Sequence, residues 1–377
     1  MIYLDYAATS YEKPKQVYQA VYNAMVYHSA NPGRGGHLLS ARAGELVYET
    51  REKLCRLFHI NNPEQIAFFQ NTTAALNTAI KGVLSYGDHV VVSSMEHNSV
   101  LRPLAELKRK GVIDYTLVSA DTRGTLNPEA FQKAMKPNTR LVICTHASNV
   151  CGNAYDIETI GSLVRRPGTL FLVDAAQSAG VIDIDANCLD LLAFPGHKCL
   201  YGPQGSGGLY VREGIVLKTL IEGGTGSQSE LLYQPQEMPD RLESGTLNVP
   251  AIAGLGAAAD FILQQGTNAL LEHDVILRNY FEEKIRNIPN IEIYGNDKRT
   301  GITALNIIGH DCVNIAESLN SNYGIAVRSG LHCAPSAHKT LGTKDIGCVR
   351  FSYGYFTKKS DLDQAAFALL QISKNNV

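Results

Sequence analysis

From residue 66 to residue 212 the chain alternates short apolar, β-branched runs with helical stretches, and this alternation constrains the fold more than any other feature. Strands are expected at 66–69, 89–93 (HVVVS), 115–118, 140–145 (RLVICT), 169–174 (TLFLVD), 191–194 and 208–212. Helices are expected at 74–84, 100–110, from Pro128 onward, and at 157–165. Strands this apolar are buried on both faces, and helical connections between them imply right-handed crossovers and a mainly parallel sheet. Past residue 250 the texture changes. Helices at 251–265 and 269–288 precede strands at 291–294, 303–308, 325–328 and 349–353, with helices at 313–321 and 361–373. The expectation is an α/β chain in two domains. A large domain over 15–250 holds a mainly parallel seven-stranded sheet, and a smaller α+β domain is built from 1–14 and 251–377.

Charge narrows the function. Thirty-four Lys and Arg against 36 Asp and Glu leave a net charge of −2, without the basic excess that marks a nucleic-acid binder. No apolar run reaches the roughly 18 residues of a membrane span, and the first ten residues, MIYLDYAATS, lack a secretory signal. Eight cysteines without a tight pattern in 377 residues read as free thiols in a reducing compartment. A cytoplasmic enzyme, bound neither to nucleic acid nor to a membrane, is expected.

The chemistry-bearing residues sit where the expected strands end, which is where open parallel sheets bind ligands. Gln70-Asn71-Thr72-Thr73-Ala74 opens a helix and reads either as an ordinary Asn/Thr cap or as an anion site made of amides and hydroxyls. Glu96-His97-Asn98-Ser99 follows the HVVVS strand. Asp174, in Val173-Asp174-Ala175-Ala176-Gln177-Ser178, ends an apolar strand. There it either caps the next helix or faces a protonated heterocyclic nitrogen, because an unpaired carboxylate is costly to bury. Lys198, in Gly196-His197-Lys198, stands between an apolar strand and a Gly-rich loop, in a position to be desolvated for Schiff-base chemistry. Together these are the parts that pyridoxal 5′-phosphate needs: a lysine to hold it, an Asp for its pyridine nitrogen and a helix N-terminus for its phosphate.

The set LDYAAT, EHNS, VDAAQS, GHK and RSGLHCA resembles the cysteine desulfurases and selenocysteine lyases, in the class V aminotransferase group of fold-type I pyridoxal phosphate enzymes. The resemblance runs from Leu4 to Ser352. It implies Lys198 as the Schiff-base lysine, Asp174 on the pyridine nitrogen and Gln177 on the phenolic oxygen. His97 would stack on the ring, with Thr73, Ala74 and His197 at the phosphate. Thr246, in Leu242–Asn248 (LESGTLN), would reach the phosphate of a second subunit, so a homodimer is expected. Asn149, Arg350, Arg328 and His37 would bind or line the substrate; a guanidinium fork grips a carboxylate well. The loop HKCLYGPQG is one residue longer than the family's HK-x-YGP spacing, which is expected to displace Tyr201.

Cys333 decides the reaction class. It lies on a Gly-containing loop beside His332 and Arg328, and cationic neighbours raise the thiolate fraction of a thiol. A metal site with His332 and His338 is not expected, because no second cysteine lies at a ligand-like spacing and a structural zinc takes four ligands. The resemblance implies that Lys198 moves the Cα proton of L-cysteine or L-selenocysteine, and that Cys333 attacks the substrate sulfur. The products are L-alanine and a Cys333 persulfide. The RxGxHCA form resembles the group with a short catalytic loop, which passes sulfur to a dedicated acceptor protein. The competing readings are a selenocysteine lyase, an aminotransferase or β-lyase of the same class, and a non-catalytic cofactor-binding scaffold. Lys198, Asp174, Arg350 and Cys333 occurring together argue against the last.

Overall fold

The computed structural model describes residues 1–33 and 35–374. Strand β1 (Ile2–Tyr3) leads to helices α1 (Lys15–Tyr27) and α2 (Leu38–Phe58). The alternating region follows as β2 (Ile66–Phe68), α3 (Thr72–Val83), β3 (Asp88–Ser93), α4 (Asn98–Arg109), β4 (Ile113–Val118), α5 (Pro128–Ala134), β5 (Thr139–Thr145), α6 (Ile157–Val164), β6 (Leu170–Asp174), β7 (Leu191–Pro195) and β8 (Gly207–Val211). The remainder is α7 (Val249–Gln265), α8 (Thr267–Ile285), β9 (Ile291–Tyr294), β10 (Ile302–Ile307), α9 (Cys312–Tyr323), β11 (Ile325–Ala326), β12 (Arg328–Gly330), α10 (Pro335–Thr340), β13 (Cys348–Ser352) and α11 (Lys359–Lys374).

The seven-stranded sheet has the order β2-β8-β7-β6-β5-β3-β4. Strands β4, β3, β5, β6 and β7 are mutually parallel, and β8 runs antiparallel to both its neighbours. Two apolar cores explain the continuous hydrophobic strands. Val90, Val92, Leu141 and Ile143 pack on one face against α3 and α4. Val91, Val142, Cys144 and Val173 pack on the other. From β3 the chain steps outward to β4, then returns past β3 to β5 and continues through β6 and β7. The order therefore reverses between β3 and β5, and a crevice opens there at the carboxyl ends of the strands.

The smaller unit has its own core, in which Leu277, Phe281, Leu305, Ile315, Phe351 and Leu369 surround the four-stranded antiparallel sheet β12-β13-β10-β9. Leu4 joins this core, and β1 pairs in parallel with β11. Helix α7 packs its Ile252, Leu255, Ala259 and Ile262 into the large-domain core, as does Leu270. That core also takes Tyr294, Ala304, Ala334, Leu341 and Cys348 from the C-terminal part of the chain, so the two cores interlock past residue 250. The single strand expected at 325–328 is in fact two: β11 pairs with β1, whereas β12 turns to pair with β13. That turn starts the loop that carries Cys333. No helix among the described residues is long and apolar enough to cross a membrane.

Candidate active site

The crevice is a cavity lined by Thr73, His97, Asn149, Asp174, Gln177, His197 and Lys198, all anticipated from the sequence. They come from five strand ends or helix starts, so the parallel sheet converges residues that lie far apart in the chain. Asp174 is the last residue of β6, in register with Thr145 and Ala193 on the flanking strands. It is 2% exposed, and its Oδ1 accepts the Ala176 amide at 2.9 Å. Among the described residues it has no ion-pair partner within 4 Å. Burial pushes this carboxyl up, and Lys198 opposes the shift. Burial likewise pushes the Lys198 amine down, opposed by Asp174. The cavity therefore holds a desolvated acid and a desolvated amine, each biased toward its neutral form by the loss of water.

The turn that presents Lys198 is held close to the Ser206 side chain at Gly196. A Cβ there would stand 2.0 Å from Ser206 Oγ, and the Gly202 amide bonds the Gly196 carbonyl at 2.7 Å. In the following loop Tyr201 has a left-handed backbone (φ 59°). Tyr201 points into the apolar core, edge-on to Tyr6, Phe261 and Phe356, and its Oη accepts the Tyr355 amide at 2.8 Å. The displacement expected from the longer loop ends in core packing.

On the opposite wall, the Asn71 side chain caps α3 through the Ala74 amide at 2.9 Å. Thr73 Oγ1 lies 2.8 Å from Ser99 Oγ, which lies 2.9 Å from His97 Nδ1. The Ser99 amide donates to the same His97 nitrogen at 3.0 Å, so Nδ1 is an acceptor and a neutral ring carries its proton on Nε2. Burial first, then the charges of Lys198 and Arg328, bring the His97 pKa down to about 4. His197, beside Lys198, is brought to about 4 in the same way, and its Nδ1 is 3.1 Å from Thr9 Oγ1. Gln177 Nε2 donates to the Ala7 carbonyl at 2.9 Å. The N-terminal LDYAAT segment thereby forms part of the wall.

The Cys333 loop docks on the rim by its backbone. The Asn98 amide bonds the Cys333 carbonyl at 2.8 Å, and Asn149 Nδ2 bonds the His332 carbonyl at 2.7 Å. His332 and Cys333 both have left-handed backbones, φ 49° and 56°. Single residues other than glycine hold that conformation at a cost, and such strain concentrates at functional positions. Cys333 is the one exposed thiol among the eight cysteines, and its Sγ is 3.8 Å from Arg328 Nη2. Arg350, 1% exposed, donates to Asp5 Oδ1 and to the Asn149 carbonyl, each at 2.8 Å, and its buried Nε has no partner among the described residues.

Three anticipated residues lie elsewhere. His37 is exposed and caps α2, its Nδ1 accepting the Ser40 amide at 3.2 Å, so it does not line the cavity. The Ala74 amide is committed to the Asn71 cap. Thr246 is exposed and lines a separate groove with Phe68, Gln70 and Asn248. Sequence reasoning assigned no role to Asp5, Thr9 or Ser99, although the LDYAAT and EHNS motifs contained them. Their partners are set only by the closure of the N-terminal segment and α4 onto the sheet.

Residues 2–365 match the family model described as aminotransferase class-V. A probable cysteine desulfurase of Methanothermobacter thermautotrophicus is 35% identical over 381 aligned positions, covering 99% of this chain and 94% of that protein. A cysteine desulfurase of Salmonella choleraesuis is 32% identical, covering 99% and 94%. Among solved structures, the apo cysteine desulfurase of Thermococcus onnurineus superposes with a TM-score of 0.92 at 31% identity, covering 99% and 94%. The cysteine desulfurase CsdA of Escherichia coli, in an S-sulfonic acid form, superposes with a TM-score of 0.88 at 26% identity, covering 98% and 94%.

Proposed function

The chain belongs to the class V aminotransferase family, and we propose that it works there as a pyridoxal phosphate-dependent cysteine desulfurase that converts L-cysteine to L-alanine and carries the sulfur as a persulfide on Cys333. The observation that carries the reading is the pairing of a buried Asp174–Lys198 cavity with an exposed, arginine-flanked cysteine on its rim.

The residues present fit the cofactor. Asp174 is a buried carboxyl without a cation, which a protonated pyridine nitrogen would satisfy. Thr73 and the start of α3 offer hydroxyl and dipole to a phosphate, with His197 opposite. His97 lies against the cavity as a neutral ring, and Gln177 completes the wall. When bound, the cofactor supplies an electron sink for the charge left at the substrate Cα.

The chain's own groups do the rest. The depressed Lys198 amine is a base suited to taking the Cα proton near neutral pH. Arg350, steadied by Asp5 and bonded to the Asn149 carbonyl, and the half-buried Arg328 opposite it on β12 receive the substrate carboxylate. Cys333 attacks the substrate sulfur. The new S–S bond forms as the substrate's C–S bond breaks, and the electron pair of that bond returns to the carbon skeleton that leaves as alanine. Exposure then lets the Cys333 persulfide meet an acceptor protein. The exposed Thr246, which lines a groove apart from this subunit's cavity, supports a homodimer in which it reaches the phosphate of the second subunit.

The test is alanine release from L-cysteine and L-selenocysteine, with a reductant, by the wild type and Cys333→Ala. Loss of the cysteine reaction alone supports the assignment. Equal activity of both proteins on cysteine would leave a lyase without a sulfur-carrying thiol.

A further inference from the structure

Directly beneath the Cys333 loop, three soft donors meet in the interior. His332 lies on the loop itself, His338 on α10 and Cys348 at the start of β13, and all three are buried. The two imidazoles are stacked, 5.5 Å between centroids and 12° between planes. His332 Nδ1 is 3.3 Å from His338 Nε2 and 3.9 Å from Cys348 Sγ. All three donor atoms lie within 4.8 Å of one another. Donors bound to one cation, at about 2.0 Å for nitrogen and about 2.3 Å for sulfur, stand roughly 3.3–3.7 Å apart. The nitrogen pair already has that separation, and the sulfur, 3.9 Å from His332 Nδ1 and within 4.8 Å of His338 Nε2, closes on the pair by a movement of about 1 Å.

The outer nitrogens of both rings are held from behind. His338 Nδ1 lies 2.8 Å from Thr343 Oγ1, and His332 Nε2 lies 3.4 Å from the Arg328 carbonyl. Oxygen partners on the far nitrogen are the usual support of metal-bound histidines, because they fix the tautomer and turn the other lone pair inward. The two facing nitrogens, 3.3 Å apart, share a hydrogen bond whose donor depends on the tautomer; with both outer nitrogens protonated, both inner lone pairs become free for a cation.

The surroundings discriminate between cations. Arg350 is two residues along β13 from Cys348 and is fully buried. Its guanidinium adds a positive charge close to the three donors. The same charge opposes any net positive addition. A monovalent ion balanced by one thiolate leaves the cluster neutral, whereas a divalent ion leaves it positive. Three donors also suit copper(I), while zinc takes a fourth ligand. No fourth His, Cys, Asp or Glu joins the cluster among the described residues. The sequence spacing hid this arrangement because Cys348 arrives from β13, across the sheet pairing with β12.

We propose that His332, His338 and Cys348 form a buried three-coordinate site for a thiophilic transition cation, copper(I) in preference to zinc(II), which ties the Cys333 loop to α10 and β13. Binding replaces the Cys348 thiol proton by the metal, so one proton leaves per ion and no redox change occurs. The ion then clamps His332, and through it the left-handed backbone of the adjacent Cys333.

The experiment is an anaerobic titration of the cofactor-loaded protein with copper(I) against a chromophoric copper(I) chelator. It is done in a Cys333→Ala background so that the exposed thiol does not compete. One copper per chain, with about one proton released, is expected. Affinity should fall at least about 100-fold in Cys348→Ser and in His338→Gln, with near-ultraviolet circular dichroism confirming that both variants are folded. Cobalt(II), read by its ligand-field bands at long wavelength, serves as the zinc surrogate and should bind more weakly at the same site. Copper uptake that is absent, or unchanged in both variants, would overturn the site and leave a hydrogen-bonded histidine stack. Tighter cobalt(II) or zinc(II) binding would overturn the preference for copper.

Discussion

The two halves of the site are built on opposite principles. The Asp174–Lys198 half sits at the ends of β6 and β7, with Asp174 buried and Lys198 half-buried, and its reactivity comes from desolvation. The Cys333 half sits on a loop held by backbone hydrogen bonds to Asn98 and Asn149, and its thiol is exposed. The contrast matches what each half does. Proton transfer at carbon gains from a dry cavity in which pKa values can be shifted. Sulfur hand-over to a partner requires a group that the partner can touch.

That division gives the largest expected effect. Lys198→Ala should abolish both alanine release, by roughly 1,000-fold or more, and the visible absorbance of the bound cofactor. Cys333→Ala should lose cysteine turnover yet keep the absorbance. Loss of absorbance in Cys333→Ala, read by a simple spectrum, would show that the halves are not independent.

Arg350 joins the halves, since it contacts Asp5 of the N-terminal wall and the carbonyl of Asn149. Removing one member of a buried pair strands the other, at about 3–5 kcal/mol. Urea unfolding of Arg350→Ala should show a loss of that size, and Asp5→Asn in the same chain should recover part of it. No recovery would mean that the Asp5 contact contributes little.

Buried titratable groups sharpen the comparison through pH. His97, His146, His197 and His338 are all brought down to about 4, chiefly by burial. The unfolded chain takes up their protons near pH 6.5 while the folded chain does not, so stability should fall as pH drops from 6.5 toward 4. Glu96 behaves in the opposite sense. It is fully buried, accepts Ser93 Oγ at 2.5 Å and the Thr145 amide at 2.6 Å, and burial pushes it up to about 8. Its contribution is complete below pH 4.5 and is lost as pH rises through 8. Glu96→Gln should therefore raise the melting temperature relative to the wild type at pH 9 and leave it nearly unchanged at pH 5.

The smallest effect is expected at Tyr201. Tyr201→Phe removes the acceptor of the Tyr355 amide, about 1–3 kcal/mol of stability. Alanine release should stay within a few-fold of the wild type, because the ring packs in the core and not in the cavity. A large loss of activity with normal stability would place Tyr201 in the site.

The sequence by itself determined the large sheet, because strands apolar on both faces leave no other burial and their ends can be read to within a residue or two. It also determined which residues line the cavity: Thr73, His97, Asn149, Asp174, Gln177, His197 and Lys198 all converge there. Helices α1 and α2 gave a weaker signal, since α1 leaves Tyr18, Tyr22, Met25 and Tyr27 exposed and its apolar residues do not mark one face. Only the tertiary structure decided which anticipated residues were occupied elsewhere. His37 is taken up by a helix cap, Ala74 by Asn71, and Thr246 lines a separate groove. Only the tertiary structure, too, brought Cys348 beside His332 and His338. The reason is that local pattern fixes which face of an element is apolar, whereas a polar group's partner is chosen by whatever distant backbone closes over it.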